Sequence, residues 1–337
     1  MQKRTLSKTL PSPGENTTWP QDAGVKLGKI ARSEANLPTM PFIRPNNSTQ
    51  DGPIEFEWTA VGRDEKPHDF YQTFTPGKNL SLPGPTADRV MRALLSMSPG
   101  KTGQTLEIRT SLKRLTEICQ LRKGGHTYDR IRRAIARLQG VTIETNAFWN
   151  YEDQRYMGDT TTELFSYHHL YTKGSKAMAR VRWTSTVIDL MSTWSKPVDL
   201  NHFFDLDTCL ARKLYQISSL GIYQHGEMVE DLKLLCHGQL GISQNRTSPP
   251  ALKDSLKKPI AALRDQNLID ITIEKDEESP SIKSDWLVRA RPMERMLEVC
   301  EEIDDPQYWA FQLAARGMMP PKTIPSTDAE NGSTEKA

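Results

Sequence analysis

Long apolar runs are missing from this 337-residue sequence. Nowhere do the ~20 consecutive apolar residues of a membrane-spanning helix occur, and MQKRTLSKTLPSPGENTTWP (1–20) has no apolar stretch fit for a signal peptide. A cytoplasmic protein with no membrane partner is therefore expected. Cysteine is scarce as well. Cys119, Cys209, Cys236 and Cys300 stand far apart with no C-x-x-C pair, which excludes a zinc ribbon and a redox motif. They read as buried thiols in a reducing compartment.

Overall charge is nearly balanced, at +2, but its distribution is not. Residues 101–140 hold ten bases against three acids, a local +7; from 292 to 337 nine acids meet four bases, a local −5. A concentrated basic island steers towards a polyanion even when the whole chain is close to neutral. The last stretch, PPKTIPSTDAENGSTEKA, has the composition of a disordered tail.

Residues 1–50 are rich in Pro, Ser, Thr and Asn without sustained periodicity, so 1–52 reads as a flexible basic arm. Order is expected from the alternating IEFEW (54–58), with a second strand at 69–75. In ADRVMRALL (87–95), Val90, Met91, Leu94 and Leu95 recur at helical spacing. A short strand follows at 106–108. Ser111 then caps a helix whose apolar stripe is Leu112, Leu115, Ile118 and Cys119. After the turn at 122–125 comes a helix over 127–139 that ends at Gly140. At 100° per residue, Ile131, Ile135 and Leu138 share one side of it while Arg130, Arg133 and Arg137 cluster on the other. Strands at 141–145, 163–172 and 177–184 read as one meander, a long wing. This order of elements is that of a winged helix-turn-helix domain.

The order recurs further on. A helix is expected over 205–220 with Leu206, Leu210, Leu214 and Ile217 inward, then a short helix at 230–237 and a polar loop carrying Arg246, Ser248, Pro249 and Pro250. A helix over 251–266 follows, packing Leu252, Leu256, Ile260 and Leu263, with Lys253, Lys257 and Arg264 roughly 100–140° away. Strands at 268–274 and 284–289 flank the charged turn KDEESPS and make a second wing. Pro259 should kink the 251–266 helix or delay its start. The expected class is α+β: two tandem winged helix-turn-helix domains, 53–196 and 197–292, between flexible tails, with an acidic helix and disordered tail at 293–337.

Four segments carry a resemblance: LPGPTADRVMRALL (82–95), YDRIRRAIARLQGVTIETNAFW (128–149), FFDLDTCLARKLYQISSL (203–220) and ALKDSLKKPIAALRDQNLIDI (251–271). Together the sequence resembles the plasmid replication initiator protein A family and, more distantly, tandem winged-helix initiators that bind repeated origin sites called iterons. The resemblance implies double-stranded origin DNA as partner, assistance in duplex opening, recruitment of host helicase-loading and initiation proteins, and homodimerisation through the first winged domain away from the origin.

On this reading the helix over 127–139 enters the major groove. There Arg130, Arg133 and Arg137 face bases or phosphates while Arg122, Lys123, Thr127 and Tyr128 hold the backbone. Lys173 and Lys176 extend the first wing, beside Arg180 and Arg182; strand-edge lysines that only block aggregation account for them equally well. In the second unit Arg246, Ser248, Lys253, Lys257, Lys258 and Arg264 are the candidates. A solvated charged face is the plain alternative for each group.

Enzyme signatures do not close. Gly100-Lys101-Thr102 resembles the end of a phosphate-binding loop, yet the first glycine of that motif would fall at Leu95 inside a helix. His168 and His169 are adjacent, so strand alternation sends them to opposite faces, unlike the paired ligands of metal-dependent nicking initiators. Cys236-His237 has no partners at metal-ligand spacing. No catalytic residue, metal ligand or cofactor is assigned, and a non-enzyme is expected. The competing function is a winged-helix transcriptional regulator, which needs an effector pocket or a dimerisation helix; an initiator repressing its own gene would be both.

Overall fold

The computed structural model describes residues 30–34, 36–46, 52–61, 66–97, 107–150, 153, 155–171, 177–193, 195–243, 245–275 and 286–301. Among the described residues the first elements are β1 (Ile30–Glu34) and a 3-10 turn at Leu37–Thr39, then β2 (Ile54–Val61) and β3 (Pro67–Thr75). Next come α1 (Pro85–Ser96), β4 (Glu107–Ser111), α2 (Leu112–Ile118) and α3 (Gly125–Gly140). Six strands follow: β5 (Thr142–Thr145), β6 (Trp149–Asn150), β7 (Arg155–Tyr156), β8 (Thr160–Glu163), β9 (Phe165–Tyr171) and β10 (Ala177–Trp183). α4 (Ser185–Thr193), β11 (Ser195–Asp199) and α5 (Leu200–Asp205) lead to α6 (Cys209–His225) and β12 (Met228–Asp231). A π-helical turn at Leu234–Gln239, α7 (Pro249–Asp265), β13 (Ile269–Lys275), β14 (Trp286–Pro292) and α8 (Glu294–Glu301) are the last of the described elements.

One order of elements occurs twice. In the first unit α1, β4, α2 and α3 are followed by β9 and β10, and the sheet runs β4-β10-β9. In the second, α6, β12, the π-helical turn and α7 are followed by β13 and β14, and the sheet runs β12-β14-β13. In both sheets the last strand lies in the middle, antiparallel to its neighbours.

Local chemistry explains the helix starts. Ser111 Oγ accepts the Arg114 N–H at 3.0 Å and Thr208 Oγ1 accepts that of Ala211 at 3.1 Å, so each hydroxyl satisfies a donor that the first helical turn leaves open. Pro85 and the pair Pro249-Pro250 sit in first turns, where a missing N–H costs nothing. α6 ends at Gly226 in the left-handed region (φ 85°), the usual stop for a helix.

Several expectations need correction. The meander at 141–185 is divided. β5 and β8 join β2 and β3 in a separate four-stranded sheet, order β2-β3-β5-β8, and only β9 and β10 pair with β4. Strand periodicity states which residues alternate but not which strand they meet. The 205–220 helix is broken: α5 ends at Asp205, Leu206 is buried outside either helix, and α6 starts at Cys209. Glu230 and Asp231, expected in a helix, close β12. Pro259 breaks nothing. Its ring is buried on the same face of α7 as Leu252, Leu256 and Leu263, and that burial offsets the lost helical bond.

The largest correction concerns the arm, because β1 pairs along its length with β11. Leu37, Met40, Phe42 and Ile43 are at most 7% exposed. Residues 36–46 form a strap across both repeats. Asn36 exchanges two hydrogen bonds with the backbone of Trp149 (3.2 and 3.0 Å), and Arg44 N–H donates to Pro83 O at 2.7 Å. Pro41 packs on Gly241, which has φ 70°. The 241–250 loop, whose polar composition is otherwise unexplained, thus begins beneath the strap.

Beneath the strap, α1 and α6 meet through a buried polar seam. Arg212 Nε donates to Asp88 Oδ2 at 2.6 Å, with both side chains at most 4% exposed. The other guanidinium nitrogens reach Leu206 O at 2.7 Å, Asp207 O at 3.2 Å and Pro85 O at 3.4 Å. Arg92 bonds Gln216 and lies over the Phe203 ring. Lys213 Nζ donates to Met40 O and Ile43 O, each at 3.3 Å. The seam joins the first helices of the two repeats to the strap.

Candidate nucleic-acid interface

α3 is two-sided as its periodicity requires. Ile131, Ala134, Ile135 and Leu138 are buried against α1 and α2, while Arg130, Arg132 and Arg133 are exposed and Arg137 is half-buried. Arg130 Nη2 donates to Thr86 Oγ1 at 3.0 Å, which holds the guanidinium over the start of α1. Arg133 Nε reaches Asp129 O at 3.4 Å. The one acid on the helix, Asp129, pairs with Arg132 at 2.8 Å. Among the described residues, Arg130, Arg133 and Arg137 therefore have no carboxylate within ion-pair distance, and the face keeps a positive charge. Arg137 in the last turn also suits the negative end of the helix dipole.

The turn before α3 is built from its own residues. Thr127 Oγ1 donates to Arg122 O at 2.7 Å, so this hydroxyl shapes the turn. Lys123 pairs with Glu117 at 3.0 Å in an exposed bridge, and such bridges are cheap to break. Tyr128 is half-buried against the core. Arg122 is exposed.

The second repeat is organised differently. On α7, Lys257 pairs with Asp254 at 3.2 Å, and Arg264 is bound to Asp270 of β13 at 2.6 Å and to Ile271 O. Lys253 Nζ lies over the Trp286 ring of β14, and desolvation there lowers its pKa. Arg246 Nη1 donates to Ser255 Oγ at 2.8 Å; Ser248 is exposed at the N-terminal end of α7, and Lys258 is exposed on the helix. Arg264 ties the helix to its sheet and does not join the other cations in one free face. Lys173 and Lys176 lie outside the described residues, as does the turn within 276–285.

Arg109 belongs to the basic island at 101–140 and stands on β4. Alternation in EIRTS and AMARVRW was the available signal: it puts Arg109, Arg180 and Arg182 on one face of the first sheet. His168 and His169 take consecutive positions of β9, across from Arg180 and Ala179. Among the described residues no three His, Cys, Asp or Glu side chains gather as metal ligands, and no helix is long and apolar enough to cross a membrane. Cys119, Cys209 and Cys236 are buried free thiols, and burial pushes Cys119 and Cys236 up to about 12.

No protein-family model matches the chain, and no curated protein does. Among solved structures it is similar to a selenomethionine derivative of domains 2 and 3 of RctB, with TM-score 0.49 and 12% identity over 77% of this chain and 98% of that one. A second structure of RctB domains 2-3 gives TM-score 0.46 and 12% identity, covering 76% and 96%. The Pi initiator protein in complex with iteron DNA gives TM-score 0.44 and 13% identity, covering 62% and 91%.

Proposed function

We propose that each repeat is a winged helix-turn-helix domain and that the chain is a plasmid replication initiator, binding repeated duplex sites at an origin without catalysing a reaction. The observation that carries this is α3: a helix packed on one side, cationic on the other, standing after a helix and a turn, with the β9-β10 hairpin following once β5–β8 have been passed. Such a helix fits the major groove, where Arg makes bidentate contacts to guanine and flanking cations hold phosphates. The repetition of the element order supports two such contacts per chain. The buried, ion-paired seam between α1 and α6 supports a fixed spacing between them. Duplex opening, recruitment of host helicase-loading proteins and dimerisation through the first unit belong to the same proposal, which rests for these steps on the sequence resemblance.

Footprinting over the DNA flanking the gene, at near-physiological salt and without nucleotide or metal, tests this. Protection of several direct repeats with melted bases beside them is expected. Protection of one promoter palindrome alone would replace the initiator with a repressor, and no specific protection would end the proposal.

A further inference from the structure

Away from α3, a second cationic group stands on the outward face of the β4-β10-β9 sheet. Pairing sets Arg182 across from Glu107 and Arg180 across from Arg109. Between them Ile108, Ala179, Val181 and Trp183 point inward and are buried, so the charged residues share the solvent side. Glu107 Oε2 accepts from Arg180 at 2.5 Å and from Arg182 at 3.2 Å, and its Oε1 accepts from Arg109 at 2.7 Å. The carboxylate is 16% exposed, whereas the arginines are 33–50% exposed. One carboxylate cannot neutralise three guanidinium groups, and the four residues keep a formal +2. These hydrogen bonds outweigh the upward push of partial burial and hold Glu107 at about 2. It therefore stays ionised, and the array stays assembled, at any physiological pH.

We propose that Arg109, Arg180 and Arg182, positioned by Glu107, form a second contact for the sugar–phosphate backbone of duplex DNA, separate from the α3 face. This rests on the DNA-binding reading above. A guanidinium is a planar fork that matches a phosphate. Three of them on a sheet, already ordered by a shared acid, lose little freedom on binding. Among the described residues, the outward positions beside this group are Ser111 and Ser166, both polar. Around these residues the face has the polar, cationic character of a nucleic-acid contact. Because phosphates carry no sequence information, the contact adds affinity uniformly across sequences.

The test is the slope of log affinity against log salt for a short mixed-sequence duplex, using the full chain, R180A/R182A and R180K/R182K. The alanine pair should lower the magnitude of the slope by about 1.8 and weaken specific and non-specific duplexes by the same factor. The lysine pair should keep the slope but lose affinity. An alanine pair with an unchanged slope and an unchanged unfolding midpoint overturns the second contact while leaving the α3 reading intact. Loss of binding to a polyglutamate peptide with DNA binding unaltered would assign the face to an acidic protein and overturn it too. A parent chain that binds duplex DNA with no salt dependence overturns both.

Discussion

Lys213 offers the most quantitative test of the architecture. Its ammonium is fully buried in the seam and held by two strap carbonyls. Desolvation pulls its pKa from 10.5 down to about 8, against the opposing field of Asp88. Between those values the unfolded chain holds a proton that the folded chain has released. Stability therefore rises with pH through that window and is lowest below it. The interval from 10.5 to about 8, at about 1.4 kcal/mol per pH unit, amounts to about 3 kcal/mol. Lys213→Met removes the titrating group and keeps the aliphatic packing. It deprives Met40 O and Ile43 O of a donor, at roughly 1–3 kcal/mol independent of pH. Urea unfolding of both chains from about pH 7 to about 11 should show the parent gaining about 3 kcal/mol relative to the variant. Other lysines, tyrosines and thiols are common to the two and cancel in the difference. A difference that stays flat across the range would refute the reasoning, because it would mean that the ammonium is hydrated and the strap does not close the seam.

Other perturbations separate the parts of the molecule. R130A/R133A/R137A should abolish the specific footprint and reduce the salt slope by about 2.7, with the thermal midpoint little changed because the three side chains leave the α3 core contacts intact; unaltered binding would remove α3 from recognition. Asp88→Asn strands a charged Arg212 that is 2% exposed, and loss of a buried partner costs about 3–5 kcal/mol; a loss below about 1 kcal/mol by urea unfolding would contradict this account of the seam. At Gly221 an added Cβ would stand 2.7 Å from Met228 Cβ and 3.1 Å from Met228 Cα, so Gly221→Ala should lose about 1–3 kcal/mol by forcing β12 away from α6. Glu107, held at about 2 against an ordinary 4.5, contributes stability that is present above the ordinary value and lost as pH falls towards 2. Glu107→Gln should flatten that acid limb of the melting profile.

Where periodicity and capping are local, the elements were legible. The stripe Val90, Met91, Leu94 and Leu95 marks α1. The pairing of Ser111 with the Leu112, Leu115, Ile118 stripe marks α2, and the two-sided pattern at 127–139 marks α3 to within two residues at its start. The second unit was less so. In EMVEDLKLLCH a four-residue strand runs straight into a helix, and an apolar run that short fits either state. Thr208, the residue that stops α5 and α6 from being one helix, lies between two apolar stretches whose spacing continues across it. The strap was invisible for a different reason: Leu37, Met40, Phe42 and Ile43 have no period, because an extended segment crossing several elements is buried by whatever it passes over.

The candidate interface divides along the same line. That α3 has a cationic side follows from sequence alone, since residues three, four and seven apart on a helix share a face whatever surrounds it. Which cations keep their charge available was decided only by folding. Arg264 meets Asp270, Lys253 meets Trp286, and Arg180 and Arg182 meet Glu107 across the sheet. Strand pairing likewise decided that β5 leaves the wing for another sheet, and helix packing decided that Lys213 loses its water. Side-chain direction along one element is fixed by backbone geometry over a few residues, whereas partners, burial and pKa depend on chain segments brought together from far away.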